Sequence, residues 1–123
     1  MNKVKILWVD DQIDLLKSHI IFLNERNYQV DTCTNGNDSL EKISNMRYDV
    51  ILLDENMPGL SGIETLKRIK RSQPNKIVIL ITKTEDEWLM NEAIAGQVEQ
   101  FLTKPVNPSQ ILLSIKKNLD STR

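Results

Sequence analysis

The sequence predicts an α/β fold in which parallel strands form one sheet with helices on both faces. Three short apolar runs carry this prediction, because uninterrupted apolar residues are typical of strands buried on both faces. The runs are residues 6–9, 50–53 and 77–81, and a weaker one surrounds Phe101 and Leu102. Each run ends in a polar residue, so one edge of the sheet is expected to carry reactive groups.

Helix-like segments separate these runs. Apolar spacing predicts a first helix over residues 13–26 and a second over residues 37–46. The third opens with a capping-box pattern, in which Ser61 and Glu64 satisfy free backbone donors, and it ends before Pro74. These segments therefore alternate with the strands.

The rest of the chain continues this alternation. Residues 28–34 alternate as in a half-buried strand, and a second capping box over residues 84–87 opens a fourth helix that stops near Gly96. Asn107 caps the fifth helix, and Pro108 occupies its first turn. Strict alternation of this kind predicts a flavodoxin-like, doubly wound (βα)5 domain with the strand order 2-1-3-4-5.

Length and composition limit the classes of function. A chain of 123 residues is a common size for one domain, and the net charge of −1 gives no basic surplus for nucleic acid. No apolar segment is long enough for a membrane span or a signal peptide, and Cys33 is the single cysteine, so a cytoplasmic location is the default expectation. Cys33 and His19 are both interpreted as structural residues.

Polar residues at the strand ends form the candidate site. Asp10 and Asp11 follow the first run, Asp54 follows the second, Thr82 the third and Lys104 the fourth. In the predicted order the first and third strands are neighbours, so the carboxylates converge. Converging carboxylates repel one another unless their pKa values rise or a cation lies among them.

Oxygen ligands of this kind suit Mg²⁺, which keeps several of its own waters. Asp11 and Asp54 are the expected direct side-chain ligands, Asp10 is expected to act through a metal-bound water, and Asn56 would offer its backbone carbonyl. The sequence therefore predicts a magnesium site.

A carboxylate beside Mg²⁺ can be a covalent nucleophile toward phosphorus. Asp54 is the expected nucleophile, and its product would be an aspartyl phosphate. Lys104 and the hydroxyl of Thr82 would each take one oxygen of the phosphoryl group, because phosphoryl transfer depends on positioning and on neutralising those oxygens.

This set of residues resembles the receiver domain of two-component response regulators, the CheY-like family. The resemblance covers essentially the whole chain and rests on Asp10-Asp11, Asp54 with residues 55–62, Thr82, and Lys104-Pro105. It implies that residues 1–123 form a single receiver domain without an effector domain. It also implies a switch in a phosphorelay and not a turnover enzyme, with self-phosphorylation and autodephosphorylation as its only chemistry.

The resemblance assigns further roles. Asp54 would be the phospho-acceptor, charged by a partner histidine kinase or by small phosphodonors. Thr82 would be the switch hydroxyl, Phe101 the switch aromatic, and the Lys104–Pro105 bond would be cis. The fourth helix, fifth strand and fifth helix would form the output surface toward an effector domain or protein, or toward a second copy of the chain on phosphorylation.

Residues 54–62, 81–83 and 104–112 also look like the receivers of PorX-type regulators of Bacteroidetes. Those regulators usually carry a further domain, so this chain would be an excised receiver or a stand-alone one. Lys83 departs from the family, where a very small residue is usual, and we expect slower phosphoryl exchange. Asn56 and Thr84 occupy the positions that tune the lifetime of the phosphorylated state.

The fifth helix departs as well, because it lacks the Glu-Leu-x-x-Arg pattern of the winged-helix subfamily of regulators. A dimer through this face would therefore use other residues, and Trp88 and Met90 are candidates. Packing against neighbouring elements is the other interpretation of these two side chains.

Two other functions compete with the switch. A phosphohydrolase of the haloacid dehalogenase type uses a similar set of residues, but it needs an acid where this chain has Asn56. A receiver fold that binds partners without switching is the second, and the intact set of Asp10, Asp11, Asp54, Thr82 and Lys104 argues against it. A flavin-binding function has less support, because no phosphate-binding loop follows the first strand.

Overall fold

The computed structural model describes residues 3–121 and contains one five-stranded parallel sheet. The strand order is 2-1-3-4-5, which confirms the flavodoxin-like prediction. The strands are β1 (Val4–Val9), β2 (Tyr28–Cys33), β3 (Val50–Asp54), β4 (Ile77–Thr82) and β5 (Gln100–Thr103). All residues of β3 and β4 are buried, whereas those of the edge strand β5 are half-buried.

Five α-helices cover the two faces of this sheet. They are α1 (Lys17–Glu25), α2 (Gly36–Asn45), α3 (Gly62–Ser72), α4 (Glu87–Ala95) and α5 (Pro108–Ser121). Leu23 of α1 and Ile111 of α5 belong to the core on one face, and Ile43, Leu66 and Leu89 belong to the core on the other. Among residues 3–121, no helix is long and apolar enough to cross a membrane.

The prediction of the first helix is wrong over its opening turn. Residues Ile13–Leu16 form a 3₁₀ turn, and the α-helix begins only at Lys17. The backbone N–H of Gln12 donates to Asp10 Oδ1 at 2.8 Å, and the carbonyl of Gln12 accepts from Leu15 N–H at 2.9 Å. The backbone after the acidic residues therefore forms a tighter 3₁₀ turn before the α-helix, as is common at the start of helices.

The fourth helix also begins later than predicted. Asp86 is its N-cap and accepts from Leu89 N–H at 3.2 Å, so the helix does not open at Thr84. Thr84 N–H instead donates to Thr82 Oγ1, and Glu85 accepts from Thr103 Oγ1 at 3.1 Å. These residues form a loop between β4 and α4 that is hydrogen-bonded to the end of β5.

The capping box of α3 is only half formed. Ser61 accepts from Glu64 N–H at 3.2 Å, as predicted. Within the described part of the chain, however, the Glu64 side chain makes no hydrogen bond in return. Glu55 instead accepts from Ile63 N–H at 2.7 Å, because its side chain lies between the end of β3 and the first turn of α3.

A network of charged groups lies at the amino ends of the strands. Lys70 is only 8% exposed and donates to both carboxylate oxygens of Glu99, at 2.7 and 2.8 Å, and to the carbonyl of Lys76 at 2.6 Å. Glu99 also accepts from Val78 N–H at 2.7 Å. The three donors of this ammonium are thus satisfied, and we call this network the amino-edge pair.

Candidate metal and phosphoryl site

The sheet brings three carboxylates together at the opposite edge. Val9 of β1 lies beside Leu53 of β3, so Asp10 and Asp54, the next residue of each, are adjacent. Carboxylate oxygens of Asp10, Asp11 and Asp54 all lie within 4.8 Å of one another. Asp10 and Asp54 are each 2% exposed, whereas Asp11 is open to solvent. The convergence expected from the strand order is therefore present.

Lys104 supplies the positive charge of this cluster. Its Nζ lies 2.9 Å from Asp54 Oδ1 and 3.3 Å from Asp10 Oδ2. The backbone N–H of Lys104 donates to the Thr82 carbonyl at 2.6 Å, and the Lys104–Pro105 peptide bond is cis. We call Asp10, Asp11, Asp54 and Lys104 the acid cluster.

The electrostatics of the acid cluster are unbalanced. Burial raises the pKa of Asp54, and the charges of Asp10 and Asp11 raise it further, whereas Lys104 opposes both effects. Burial lowers the pKa of Lys104, but the hydrogen bond and charge of Asp54 outweigh burial and raise it overall. One ammonium therefore faces three carboxylates, two of them buried.

The donor set fits a hard divalent cation. The three side chains offer only oxygen atoms, which Mg²⁺ and Ca²⁺ prefer, and the open side at Asp11 leaves room for retained waters. The net negative charge of the cluster would be reduced by such an ion. Asn56, whose backbone carbonyl the sequence predicts as a further ligand, is exposed in the loop two residues after Asp54.

Thr82 lies beside this cluster but makes no hydrogen bond to it within residues 3–121. The side chain is fully buried, and Oγ1 accepts from Thr84 N–H at 3.3 Å. Lys83 and Thr84 are both exposed, and Lys83 follows β4 directly. The structure therefore brings the carboxylates and Lys104 into contact and leaves the Thr82 hydroxyl in a neighbouring turn.

Phe101 lies on the same side of the sheet as Thr82. It pairs with Leu80 across β4 and β5, and both side chains pack in the core beneath α3 and α4. Thr82 follows Leu80 by two positions, so its side chain points to the same face. The half-buried ring of Phe101 and the Thr82 hydroxyl thus share one layer of the fold.

Sequence patterns assigned no individual role to Gly62 and Glu55, which lie near Asp54. A Cβ atom on Gly62 would lie 2.6 Å from the Asp54 carbonyl oxygen, so only glycine allows α3 to begin this close to β3. The carbonyl of Glu55 accepts from Gly62 N–H at 3.1 Å, and its side chain caps α3. The glycine before an apolar helical face was the only available signal of this close approach.

The fourth and fifth helices expose apolar side chains. Trp88 is 67% exposed and Met90 39%, so solvent exposure, and not burial against neighbouring elements, describes both. Ile94 of α4 and Leu113 of α5 are also exposed. This part of the surface lies on the helices that flank β5.

The comparisons with known proteins agree with this geometry. Residues 6–116 match the family model described as the response regulator receiver domain. The chain is 27% identical over 114 residues to the chemotaxis protein CheY of Thermotoga maritima, covering 92% of this chain and 95% of that protein. It is 33% identical over 115 residues to the transcriptional regulatory protein ResD of Bacillus subtilis, covering 94% of this chain.

The chain spans about half the length of ResD, 48%. Among solved structures, the CheY-like receiver domain protein of Methanospirillum hungatei superposes with a TM-score of 0.92 at 28% identity, covering 98% of this chain and 96% of that one. The beryllofluoride-activated DrrB receiver domain superposes with a TM-score of 0.84 at 30% identity, covering 96% and 98%. This chain belongs to the family of response regulator receiver domains.

Proposed function

We propose that the chain is a phosphorylation-dependent switch in which Asp54 accepts a phosphoryl group from a histidine kinase or a small phosphodonor. The observation that carries this proposal is the buried Asp54 carboxylate, which lies 2.9 Å from the Lys104 ammonium within a cluster of three carboxylates. A buried nucleophile, a fixed cation and an oxygen-only ion site at one sheet edge are the parts that phosphoryl transfer needs.

The ion at this site is proposed to be Mg²⁺. Asp11 and Asp54 would hold it directly, the Asn56 carbonyl would complete the protein ligands, and Asp10 would bind one of its waters. When bound, the ion neutralises charge on the phosphoryl oxygens.

The protein's own groups account for the remaining chemistry. Asp54 attacks phosphorus, a bond from its carboxylate oxygen to phosphorus forms, and the bond to the donor breaks, so the donor leaves with the electron pair. Lys104, already held beside Asp54, donates to one phosphoryl oxygen. Thr82 donates its hydroxyl to another once it leaves the Thr84 N–H.

The movement of Thr82 is proposed to reach the output surface through Phe101, since both lie in the layer beneath α3 and α4. The partner would be an effector domain, an effector protein or a second copy of the chain. The exposed apolar side chains of Trp88, Met90 and Leu113 are the candidate contacts on that surface.

Acetyl phosphate provides the direct test. The wild-type protein incubated with acetyl phosphate and Mg²⁺ should gain one phosphoryl group in its intact mass, and Asp54→Asn should gain none. Asp120→Asn, which changes an exposed aspartate on α5, is the matched control and should label as wild type does. Labelling of Asp54→Asn at the wild-type level would refute the proposal, and labelling unaffected by chelation of Mg²⁺ would refute the role of the ion.

A further inference from the structure

Glu55 is the first residue of the loop between β3 and α3, which spans residues 55–61. Its side chain is half-buried, and Oε1 accepts from the Ile63 N–H at 2.7 Å. The first N–H groups of a helix have no partner within the helix, and a carboxylate is favoured beside them. The Glu55 side chain therefore ties the start of the loop to the first turn of α3, where the loop ends.

The backbone of Glu55 is engaged as well. Its N–H donates to the Ile81 carbonyl of β4 at 2.9 Å. Its carbonyl accepts from Gly62 N–H at 3.1 Å and from Met57 N–H at 3.2 Å. This one residue thus anchors the loop to the sheet, closes it against α3 and begins the tight turn that follows.

That turn sets the direction of the Asn56 carbonyl. The hydrogen bond from Met57 N–H to the Glu55 carbonyl spans three residues, so it closes a γ-turn with Asn56 at its centre. In a planar trans peptide the carbonyl and the following N–H point in opposite directions, and the Asn56–Met57 bond is trans. The Asn56 carbonyl therefore points away from the Glu55 carbonyl.

Glu55 does not belong to the acid cluster. Among the described residues, the carboxylate oxygens that lie close enough together to share an ion are those of Asp10, Asp11 and Asp54. The Glu55 carboxylate is bonded instead to the backbone of α3. Any influence of this side chain on an ion in the cluster would therefore pass through the backbone of the loop.

We propose that Glu55 is a positioning residue for the ion site, which holds the loop so that the Asn56 carbonyl keeps the direction in which it binds Mg²⁺. This inference rests on the proposed function, because it takes that carbonyl as a ligand. Close packing supports it, since a Cβ on Gly62 would lie 2.6 Å from the Glu55 Cα. Loss of the bond to Ile63 would loosen α3 against the base of the loop, and the γ-turn would no longer be held in place.

Mg²⁺ binding to the unphosphorylated protein tests this role, measured by titration of the ¹⁵N-labelled amide resonances. Glu55→Ala removes the acceptor of the Ile63 N–H and should weaken binding at least about tenfold, on the scale of other residues that orient metal ligands. Glu55→Gln keeps an acceptor oxygen and should bind closer to wild type than to Glu55→Ala. Equal losses in the two variants would show that Glu55 acts by charge alone, and they would overturn the proposal.

Two further variants control for charge and for folding. Glu64→Ala removes an exposed carboxylate from the same turn of α3 and should bind Mg²⁺ as wild type does. Glu55→Met keeps the length of the side chain without an acceptor, so it should weaken binding as Glu55→Ala does, and it carries the test if the alanine variant does not fold. Equal weakening by Glu64→Ala and Glu55→Ala would overturn the proposal.

Two other readouts separate positioning from a general loss of structure. In the metal-free protein, amide hydrogen exchange at Met57 should be faster in Glu55→Ala, because the γ-turn has lost its support. Labelling of this variant by acetyl phosphate should be slow at limiting Mg²⁺ and should recover at saturating Mg²⁺. Unchanged exchange at Met57, or labelling that stays slow at saturating Mg²⁺, would overturn the proposal.

Binding is measured without a phosphodonor, so the failure of this inference can be told apart from that of the proposed function. Wild-type protein that binds Mg²⁺ but gains no phosphoryl group would refute the proposed function, and the Glu55 variants would still decide the role of Glu55. Wild-type protein that binds no Mg²⁺ would overturn both. Unchanged Mg²⁺ binding in Glu55→Ala, together with normal labelling of wild type, would overturn this inference alone.

Discussion

The two edges of the sheet each hold a lysine, buried at one edge and half-buried at the other, and their balance of charge is opposite. At the amino edge, Lys70 has three hydrogen bonds, and among residues 3–121 Glu99 is its only carboxylate partner. At the carboxyl edge, Lys104 faces the three carboxylates of the acid cluster. The first arrangement is complete without any ligand, whereas the second carries excess negative charge that a cation would reduce. The same residue type is thus fully satisfied at one edge and faces an excess of carboxylates at the other.

The largest effect should come from Lys104→Ala, measured as the rate of labelling by acetyl phosphate with Mg²⁺. Loss of one fixed donor to a phosphoryl oxygen should slow labelling about 100-fold, as for other preorganised charge stabilisers. Lys70→Ala should label at the wild-type rate per folded molecule. Equal slowing in both variants would remove the distinction between the edges.

Lys70→Ala should instead lower the free energy of unfolding by about 2 kcal/mol, because Glu99 is left partly buried without its cation. Urea denaturation measures this change. Lys67→Ala is the control, since the Lys67–Glu92 pair is 40% and 33% exposed and should contribute less than about 1 kcal/mol. A smaller loss in Lys70→Ala than in Lys67→Ala would contradict the structural role of the amino-edge pair.

Mg²⁺ should stabilise the wild-type protein through the acid cluster. At about 100 times its dissociation constant, the ion should raise the free energy of unfolding by about 2.7 kcal/mol, measured as a higher melting temperature. Asp11→Asn should lose most of this gain. Asp14→Asn, which changes an exposed aspartate in the adjoining 3₁₀ turn, should keep it.

Removing one carboxylate should change the melting temperature in opposite directions at the two edges. Without metal, Asp54→Asn should raise the melting temperature at neutral pH, because burial and the charges of Asp10 and Asp11 disfavour the ionised form. Glu99→Gln should lower it, because a charged partner of Lys70 is lost.

The pH dependence sharpens this prediction. Because folding raises the pKa of Asp54, the folded protein holds this proton more tightly than the unfolded chain does. Stability from this group is therefore greatest at low pH and is lost as pH rises through the folded pKa. The advantage of Asp54→Asn over wild type should shrink as pH falls, and a constant advantage would contradict this cause.

The smallest effect should come from Lys83→Ala. The exposed Lys83 side chain stands next to Thr82, so its removal should widen access for the donor and for water. Labelling and loss of label should both become roughly two- to fivefold faster, which corresponds to a change of about 0.4–1 kcal/mol in the barrier. Unchanged rates in both directions would refute a role for Lys83 in phosphoryl exchange.

The acid cluster was predictable because its members are fixed by position alone. Asp10, Asp54 and Lys104 follow apolar runs, and the strand order brings the ends of those runs together. The convergence of these residues could therefore be inferred from local patterns and one topological rule.

Contacts between distant side chains could not be inferred in this way. Lys70 and Glu99 are 29 positions apart, and no local pattern pairs them. The start of α4 was mispredicted for a related reason, since Glu85 is engaged by Thr103 of another strand. A cavity lined by Trp8, Leu16 and Val106 likewise depends on how the 3₁₀ turn packs against the segment after β5, which sequence periodicity does not describe.

The hydrogen bond from Thr84 N–H to Thr82 Oγ1 has a thermodynamic consequence for the proposed switch. Without a phosphoryl group, moving the Thr82 hydroxyl toward Asp54 would lose this bond, whereas in the proposed phosphorylated state a stronger bond to a charged phosphoryl oxygen would replace it. The bond at Thr84 would therefore favour the resting position in the unphosphorylated protein, and the phosphoryl group would shift the population toward the other one. The resting level of activity would then be set by the length and alignment of this single bond, which makes the turn at Thr84 a place where evolution can adjust the background signal without altering the acid cluster.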